Sequence, residues 1–546
     1  MDPVFKPRRL VDVGLDRTRE PVLLEPIEHC RYAALSYCWG KDLVDVLTTR
    51  KQNLDSNLKA IPLSSMPRTI QDAVVFCRGV KIQYIWIDSL CIVQDDDEDW
   101  LAESARMCEI YSNSYFTIAA QNAPSCKSGF LGQQKYGEVS WQRPFWTEFG
   151  QRDGSESLNK MYVRGPEPTV RMALYGRSNF SLQGRGWTLQ ENLLSTRIIH
   201  FTGNEMIWEC DNRDFCECGH VDDLDYYEPG AMSKQALKRW RESSPQKFLG
   251  RNTWIKITED YSNRMLTQER DKLVAISGLA KRTVIDVNKD TSRSLEEVSG
   301  NYLAGLWRDD LPINLLWHTD SGESSITSHK RPAKYRGPTW SWVSIDGPVR
   351  YSQIPAFAEE ESHLAISESR CSPASPWNPL GPVTSGHLIL SGLLVPVQLA
   401  ITDEKPPVGY YGAITTEWRG QAVFVRARNL VPYQISLDLP SVINLKREDP
   451  TYQCWINRHE VEKCPHPTDC DFEETEKVFY CLKVASFYFP PRPPIIQYLV
   501  LTKSSTDPEQ AYERVGIGAW GKWWPPPLDF HLFDGADVTT TTIKII

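Results

Sequence analysis

Long hydrophobic runs are missing from this chain. Its most apolar stretch, "LILSGLLVPVQLAI" from Leu388 to Ile401, is interrupted by Pro396 and Gln398. A helix that crosses a bilayer needs about 20 apolar residues, so this stretch reads as a pair of strands and no membrane span is expected. The opening "MDPVFKPRRLVDVGLDRTRE" lacks the apolar centre of an export signal. A cytoplasmic location follows as an expectation, with the 14 cysteines mostly reduced. Positive charge is also short: 61 Lys and Arg stand against 70 Asp and Glu, a net −9. That balance argues against non-specific nucleic-acid binding, because phosphate contacts need a basic face, and no nucleic-acid partner is expected. No repeat array and no nucleotide-binding receptor module is visible.

What the chain has in excess is tryptophan, 19 in 546 residues, which predicts large aromatic cores or grooves. The length implies two or three domains. Apolar content of 41 % and charged content of 24 % are those of a soluble globular protein.

The first 120 residues alternate between strand and helix patterns. "RYAALSY" is a buried strand ending in turn chemistry. "SSMPRTIQDAVVFCRGV" is a helix, with Ser65 as N-cap, Pro67 in the first turn, a stripe of Ile70, Ala73, Val74 and Cys77, and Gly79 as its stop. "KIQYIWID" is a strand covered on both faces. Five acids, Asp95 to Asp99, then precede a helical spacing of Trp100, Leu101, Ser104, Met107, Cys108 and Tyr111, where they complement the helix dipole. "SYFTIAA", Ser114 to Ala120, is a third strand. Strand, helix, strand, helix, strand implies right-handed crossovers and a parallel sheet.

In open parallel sheets, ligands bind beyond the carboxyl ends of the strands. Those ends are Ser36, Tyr37, Cys38, Trp39 and Gly40, then Asp88, Ser89, Leu90 and Cys91, then Ala120 to Asn122. Further on, the pattern predicts a short helix over Thr188–Leu194 and two strands, Arg197–Phe201 and Met206–Cys210, joined by a turn at "TGNE". A long helix is expected from Trp254 to Ala280. "YLAGLWRDDLPINLLW" reads as another helix, interrupted at Pro312. The expected domains are an N-terminal extension (1–29), an α/β domain (30–212), a helical or mixed region (213–370), a Pro/Ser-rich linker (371–387) and a β-rich region (388–546), the last from evenly spaced antiparallel strands. "GIGAWG", Gly516 to Gly521, satisfies G-x-G-x-x-G in form only. "KWWPPP" follows it, and the prolines preclude the helix which that motif must open.

Three segments together are more specific than any periodicity: "YAALSYCWG", "IQYIWIDSLCIVQDDDEDWLAESARMCEIYSNSYFTIAA" and "GRGWTLQENLLSTRIIHFTGNEMIWEC". They resemble, in order and separation, the three blocks of the fungal heterokaryon-incompatibility (HET) domain. "RDKLVAISGLA" and "TWSWVSIDG" resemble segments that often follow it. The resemblance implies a part in non-self recognition between fungal strains and in the programmed cell death that follows. It also implies a distant relation to TIR domains, which are doubly wound, flavodoxin-like α/β modules, some of which cleave NAD. NAD is then a substrate rather than a bound cofactor, self-association is the corresponding non-catalytic reading, and sensing is expected from an upstream protein partner or from the C-terminal region. A diverged member without a death role is a third.

Cleaving a nicotinamide glycosidic bond forms an oxocarbenium-like centre that a carboxylate can stabilise. Glu191 is the preferred carboxylate, because it lies in the third block beside Arg185, Trp187 and Gln190. The competing reading is a helix-surface Glu or one paired with Arg185. Asp88 ends a predicted buried strand, where a carboxylate must be paired or line a site mouth. Ser36 and Cys38 are poor nucleophiles on this reading, since no His lies in the first two blocks. Cys210, Cys216, Cys218 and His220 have a metal-like density. Their spacing is not that of zinc knuckles, and Cys pairs after the third block are familiar in HET proteins without metal. Cys454, His459, Cys464, His466 and Cys470 form a similar loop-like group. No metal is expected at either.

Overall fold

Short apolar runs between turn residues set the first sheet. A computed structural model describes residues 5–26, 28–40, 46–131, 182–202, 206–216, 234, 248–290, 300–319, 330–351, 358–402, 422–426, 433–437, 478–490, 492–507, 509–520, 533 and 538–546. The chain forms two compact units, Met1–Ser244 and Pro245–Ile546.

Unit 1 is built on eight strands: β1 (Leu10–Asp12), β2 (Val22–Leu24), β3 (Tyr32–Ser36), β4 (Tyr84–Trp86), β5 (Phe116–Ala119), β6 (Arg197–Phe201), β7 (Met206–Cys210) and β8 (Asp214–Cys216). They lie in the order β2-β1-β4-β3-β5-β6-β7-β8. The central pairs β3–β4, β3–β5 and β5–β6 are parallel, and antiparallel hairpins extend both edges. The parallel core is thus as the pattern predicts. The extension before residue 30 is not separate from it, because β1 pairs β4 directly.

The helices of this unit with described bounds are α1 (Leu54–Asn57), α2 (Arg68–Gly79), α3 (Asp88–Cys91), α4 (Asp97–Ala105), α5 (Met107–Asn113) and α6 (Gly186–Leu194). The α2 stripe of Ile70, Ala73, Val74 and Cys77 is fully buried, each at 0 % exposure. Its expected cap differs. Pro67 stands at the N-cap, while Ser65 closes a preceding 3₁₀ turn by donating from Oγ to Pro62 O at 2.7 Å. The helix expected after the acid run is two helices, broken at Arg106, whose φ of −98° and ψ of 1° leave the helical region. Asp96 caps α4 as its side chain accepts from Glu98 N and Asp99 N.

Asp99 does more than complement a dipole. Buried Arg9 pairs with its Oδ2, Arg8 Nη1 reaches its Oδ1 at 2.7 Å, and Val93 N donates to Oδ2 at 2.8 Å. Arg9 Nε also donates to Cys91 O at 2.7 Å, which ties the N-terminal segment to the end of α3.

In unit 2 the long helix expected over 254–280 is α7 (Phe248–Ser262) and α8 (Val274–Asp290), separated by a 3₁₀ turn at Glu269–Lys272. Tyr261 OH donates to Lys272 O at 2.6 Å and fixes the break. The segment read as a helix before Pro312 is instead the hairpin β9 (Tyr302–Leu303) and β10 (Leu306–Trp307). Ala304 and Gly305 both take positive φ, +47° and +97°, the geometry of a two-residue hairpin turn, and this overrides the helical spacing. The indoles of Trp254 and Trp342 both donate to Gly305 O, at 2.8 and 3.0 Å. Part of the tryptophan excess is therefore a cage around one turn. A Cβ at Gly305 would lie 2.9 Å from the Trp342 ring, in a backbone region unfavourable to side chains. Gly305→Ala is expected to destabilise unit 2 by about 1–3 kcal/mol. A melting curve that keeps the wild-type transition would contradict this packing.

Strands β11 (Trp317–Thr319) and β12 (Val349–Tyr351) pair beside the hairpin segment in sequence. A nine-stranded sheet follows: β13 (Glu359–Ser362), β14 (Ala365–Pro373), β15 (Val383–Thr402), β16 (Ala422–Arg426), β17 (Tyr433–Leu437), β18 (Phe479–Phe489), β19 (Arg492–Lys503), β20 (Ala511–Trp520) and β21 (Thr539–Ile545). Pairings β15–β18, β18–β19, β19–β20, β20–β17, β17–β16 and β16–β15 close a circuit of strands. Val395 and Val397, Phe479 and Cys481, and Tyr498 and Val500 alternate along their strands into one buried cluster. The run expected as a pair of strands at Leu388–Ile401 lies within the single 20-residue β15. Residues read as a linker include paired positions such as Cys371 with Gly386. Gly516 and Gly518 sit inside β20, which accords with rejecting the glycine motif there. Among the described residues, no helix is long and apolar enough to cross a membrane.

Candidate functional site

The site grows from one topological fact. After β3 the chain crosses to β4 on one side of it, then returns to β5 on the other side. β3 and β5 stay paired up to Ser36 and Ala119, and the loops that leave their carboxyl ends part at the point where the winding reverses, the ordinary ligand position of an open α/β sheet.

Ser36, the last residue of β3, donates from Oγ to Glu191 Oε2 at 2.5 Å, across 155 residues of sequence. Glu191 lies on α6 and is only 8 % exposed. Burial pushes its carboxyl up to about 7, against the hydrogen bond from Ser36, the charge of Arg185 and a bond from Tyr111; nearby Asp88 adds to the rise. Arg185, the residue before α6, donates from Nη1 to Tyr37 O at 2.5 Å. Burial opposes its charge, but Cys38, Glu191 and Asp88 outweigh that and raise it.

Asp88 is the first residue of α3 rather than the end of a strand. It accepts from Ser89 N at 2.7 Å and from Trp39 Nε1 at 3.0 Å. Burial pushes its carboxyl up to about 6, with Arg185 and the neighbouring donors pulling the other way. Tyr37 OH donates to Ser89 Oγ at 2.9 Å. Gly40 turns the chain at φ +102°, where a Cβ would lie 2.9 Å from Ser125 Cβ. The rim expected from topology thus gathers Ser36, Tyr37, Cys38, Trp39, Asp88, Ser89, Arg185 and Glu191. Two carboxyls with raised pKa values share one guanidinium, the arrangement in which general acid, general base and charge stabilisation become available near neutral pH.

Other expected residues are engaged elsewhere. Gln190 Nε2 contacts Met107 Sδ on α5 at 3.7 Å. Trp187 meets Trp100 edge to face, with centroids 6.5 Å apart. The Cys91 thiol accepts from Ile87 N at 3.4 Å, and burial pushes it up to about 12. These residues pack around the site's supports. Tyr111 is a contributor that the sequence presented only as one member of a helical stripe.

His200 does not approach Ser36 or Cys38 as a base would. Its Nδ1 lies 2.9 Å from Gln121 Nε2, and its Nε2 lies 3.0 Å from Glu209 Oε2. Burial works against the Glu209 charge, yet His200 and then Lys234 hold its carboxyl down at about 2. The β6–β7 register carried this signal, because Glu209 stands opposite Ile198, two residues from His200 on the same face.

The Cys210 thiol donates to Arg213 O at 3.2 Å. Cys218 and His220 lie outside the described residues, as do Cys454, His459, Cys464, His466 and Cys470, and of Cys216 only the backbone is described. Among the described residues, no group of three or more His, Cys, Asp and Glu could hold a metal.

No curated protein and no solved structure matches the chain. Residues 32–191 match the family model described as "Heterokaryon incompatibility protein (HET)". The matched span begins at the first residue of β3 and ends on Glu191, so it takes in both halves of the Ser36–Glu191 pair. Over residues 32–191, then, this chain carries a heterokaryon incompatibility (HET) domain.

Proposed function

We propose that the HET domain cleaves NAD between nicotinamide and ribose, and that this activity serves non-self recognition leading to cell death. The observation that carries the reading is Glu191: a buried carboxyl at the winding reversal, bonded to Ser36 and set against Arg185. The parallel strand order β4-β3-β5-β6 supports a TIR- or flavodoxin-like relation, since such modules share that reversal. In the reaction, the bond from ribose C1′ to the pyridinium nitrogen breaks and its electron pair leaves with neutral nicotinamide. Water adds to C1′ and loses a proton, giving ADP-ribose. Glu191 as carboxylate faces the cationic carbon and accepts the proton of the attacking water. Ser36 orients that carboxylate, and Asp88 tethers the Trp39 indole as an aromatic wall.

A pH profile on the full chain tests the reading. Glu191 must be ionised to act, so kcat/KM for NAD is expected to rise as pH passes through about 7. Stability runs the other way. The folded carboxyl titrates near 7 rather than its ordinary 4.5, so its contribution is present below 4.5 and lost as pH rises to about 7. A rate that is flat across this range would remove Glu191 from the base role.

A further inference from the structure

Unit 2 holds a cavity of about 330 Å³ that belongs to none of the chemistry above. The β9–β10 hairpin and the residues after it supply Tyr302 and Arg308, and β14 supplies Arg370 and Cys371. Leu303 and Pro379 add apolar wall. The volume is in the range of small-ligand pockets, which combine an apolar lining with a few polar groups.

The charged groups among these lining residues are of one sign. Arg308 Nη2 donates to Ser369 O at 2.8 Å. Among the described residues, neither Arg308 nor Arg370 is ion-paired. Of the acids close by in sequence, Glu368 meets His387 Nε2 at 3.1 Å, Asp309 Oδ2 accepts from Asn301 at 3.1 Å, and partly buried Asp310 lies in the field of Arg251. The Cys371 thiol sits against Gly386, where an added Cβ would come within 2.9 Å of the sulfur. Burial pushes that thiol up to about 12, so it is neutral at pH 7 and does not repel an anion. Two exposed arginines among the lining residues, beside an apolar wall, match an oxyanion carried on a compact apolar body.

We propose that this cavity binds a small molecule that bears a phosphate or carboxylate group on a compact apolar body, with Arg308 and Arg370 gripping the anion. It is a second ligand site, separate in residues from the HET-domain site and independent of whether that site turns over NAD.

Titration calorimetry of the full chain with phenyl phosphate and with benzoate tests it, and the tighter probe identifies the head group. One site per chain is expected for at least one probe. The double variant Arg308→Gln/Arg370→Gln is expected to weaken it by about tenfold or more, as loss of charge-assisted bonds does. Pro379→Trp, which fills the cavity without changing charge, is expected to weaken it as well. Lys59→Gln/Lys81→Gln, a charge change in unit 1, is expected to leave binding unchanged. Failure of both probes to bind at millimolar concentration overturns the proposal. So does a double variant that binds like the wild type.

Discussion

Glu191→Gln is expected to lower NAD turnover by about 10²–10⁴-fold, the range over which a positioned acid or base contributes. The variant keeps the side chain's shape and an acceptor for Ser36 Oγ, so geometry changes little while the charge is removed. Because the buried carboxyl is pushed up to about 7, ionising it in the folded state works against stability at neutral pH. Glu191→Gln should therefore melt at the same temperature or higher above pH 7, and its stability should decline less between pH 4.5 and 7 than that of the wild type. Loss of turnover together with retained stability separates a chemical role from a structural one. A variant that turns over NAD normally removes Glu191 from the mechanism, and one that loses both activity and melting transition makes it a structural residue.

Asp99→Ala is expected to have the largest effect on stability. Arg9 is 2 % exposed and Asp99 4 %, and the carboxylate also accepts from Val93 N. Removing it leaves a buried guanidinium without its counter-charge, a change that costs about 3–5 kcal/mol. Folded domains are stable by only about 5–15 kcal/mol, so the unit 1 melting transition should fall steeply. Arg8, about half exposed, pairs with the same carboxylate, and Arg8→Ala should cost less than about 1 kcal/mol. If the two variants melt alike, the Arg9–Asp99 pair is not what holds the N-terminal segment. The pair bears on the site too, since Arg9 also binds Cys91 O at the end of the helix that begins with Asp88.

Local pattern made much of unit 1 legible. The strands Arg197–Phe201 and Met206–Cys210 have the boundaries that alternation predicts, and the rim follows from parallel order alone. Pairing across long separations was not legible, because periodicity says which face a residue occupies and not what stands opposite. Ser36 and Glu191 illustrate this, as does Asp99, whose partners Arg8 and Arg9 lie about ninety positions earlier. In "YLAGLW" the apolar spacing suits a helix, and only packing of Trp254 and Trp342 onto the Ala304–Gly305 turn decides for a hairpin. The length of β15 was hidden by Pro396, which pairs within the strand opposite Tyr480.

The most direct measurement is release of nicotinamide from NAD by the purified full chain, with light scattering on the same sample. Nicotinamide and ADP-ribose appearing in equal amounts, and not from Glu191→Gln, is the expected result. No release at high protein concentration, with concentration-dependent assembly instead, would contradict the catalytic account and leave self-association as the domain's activity.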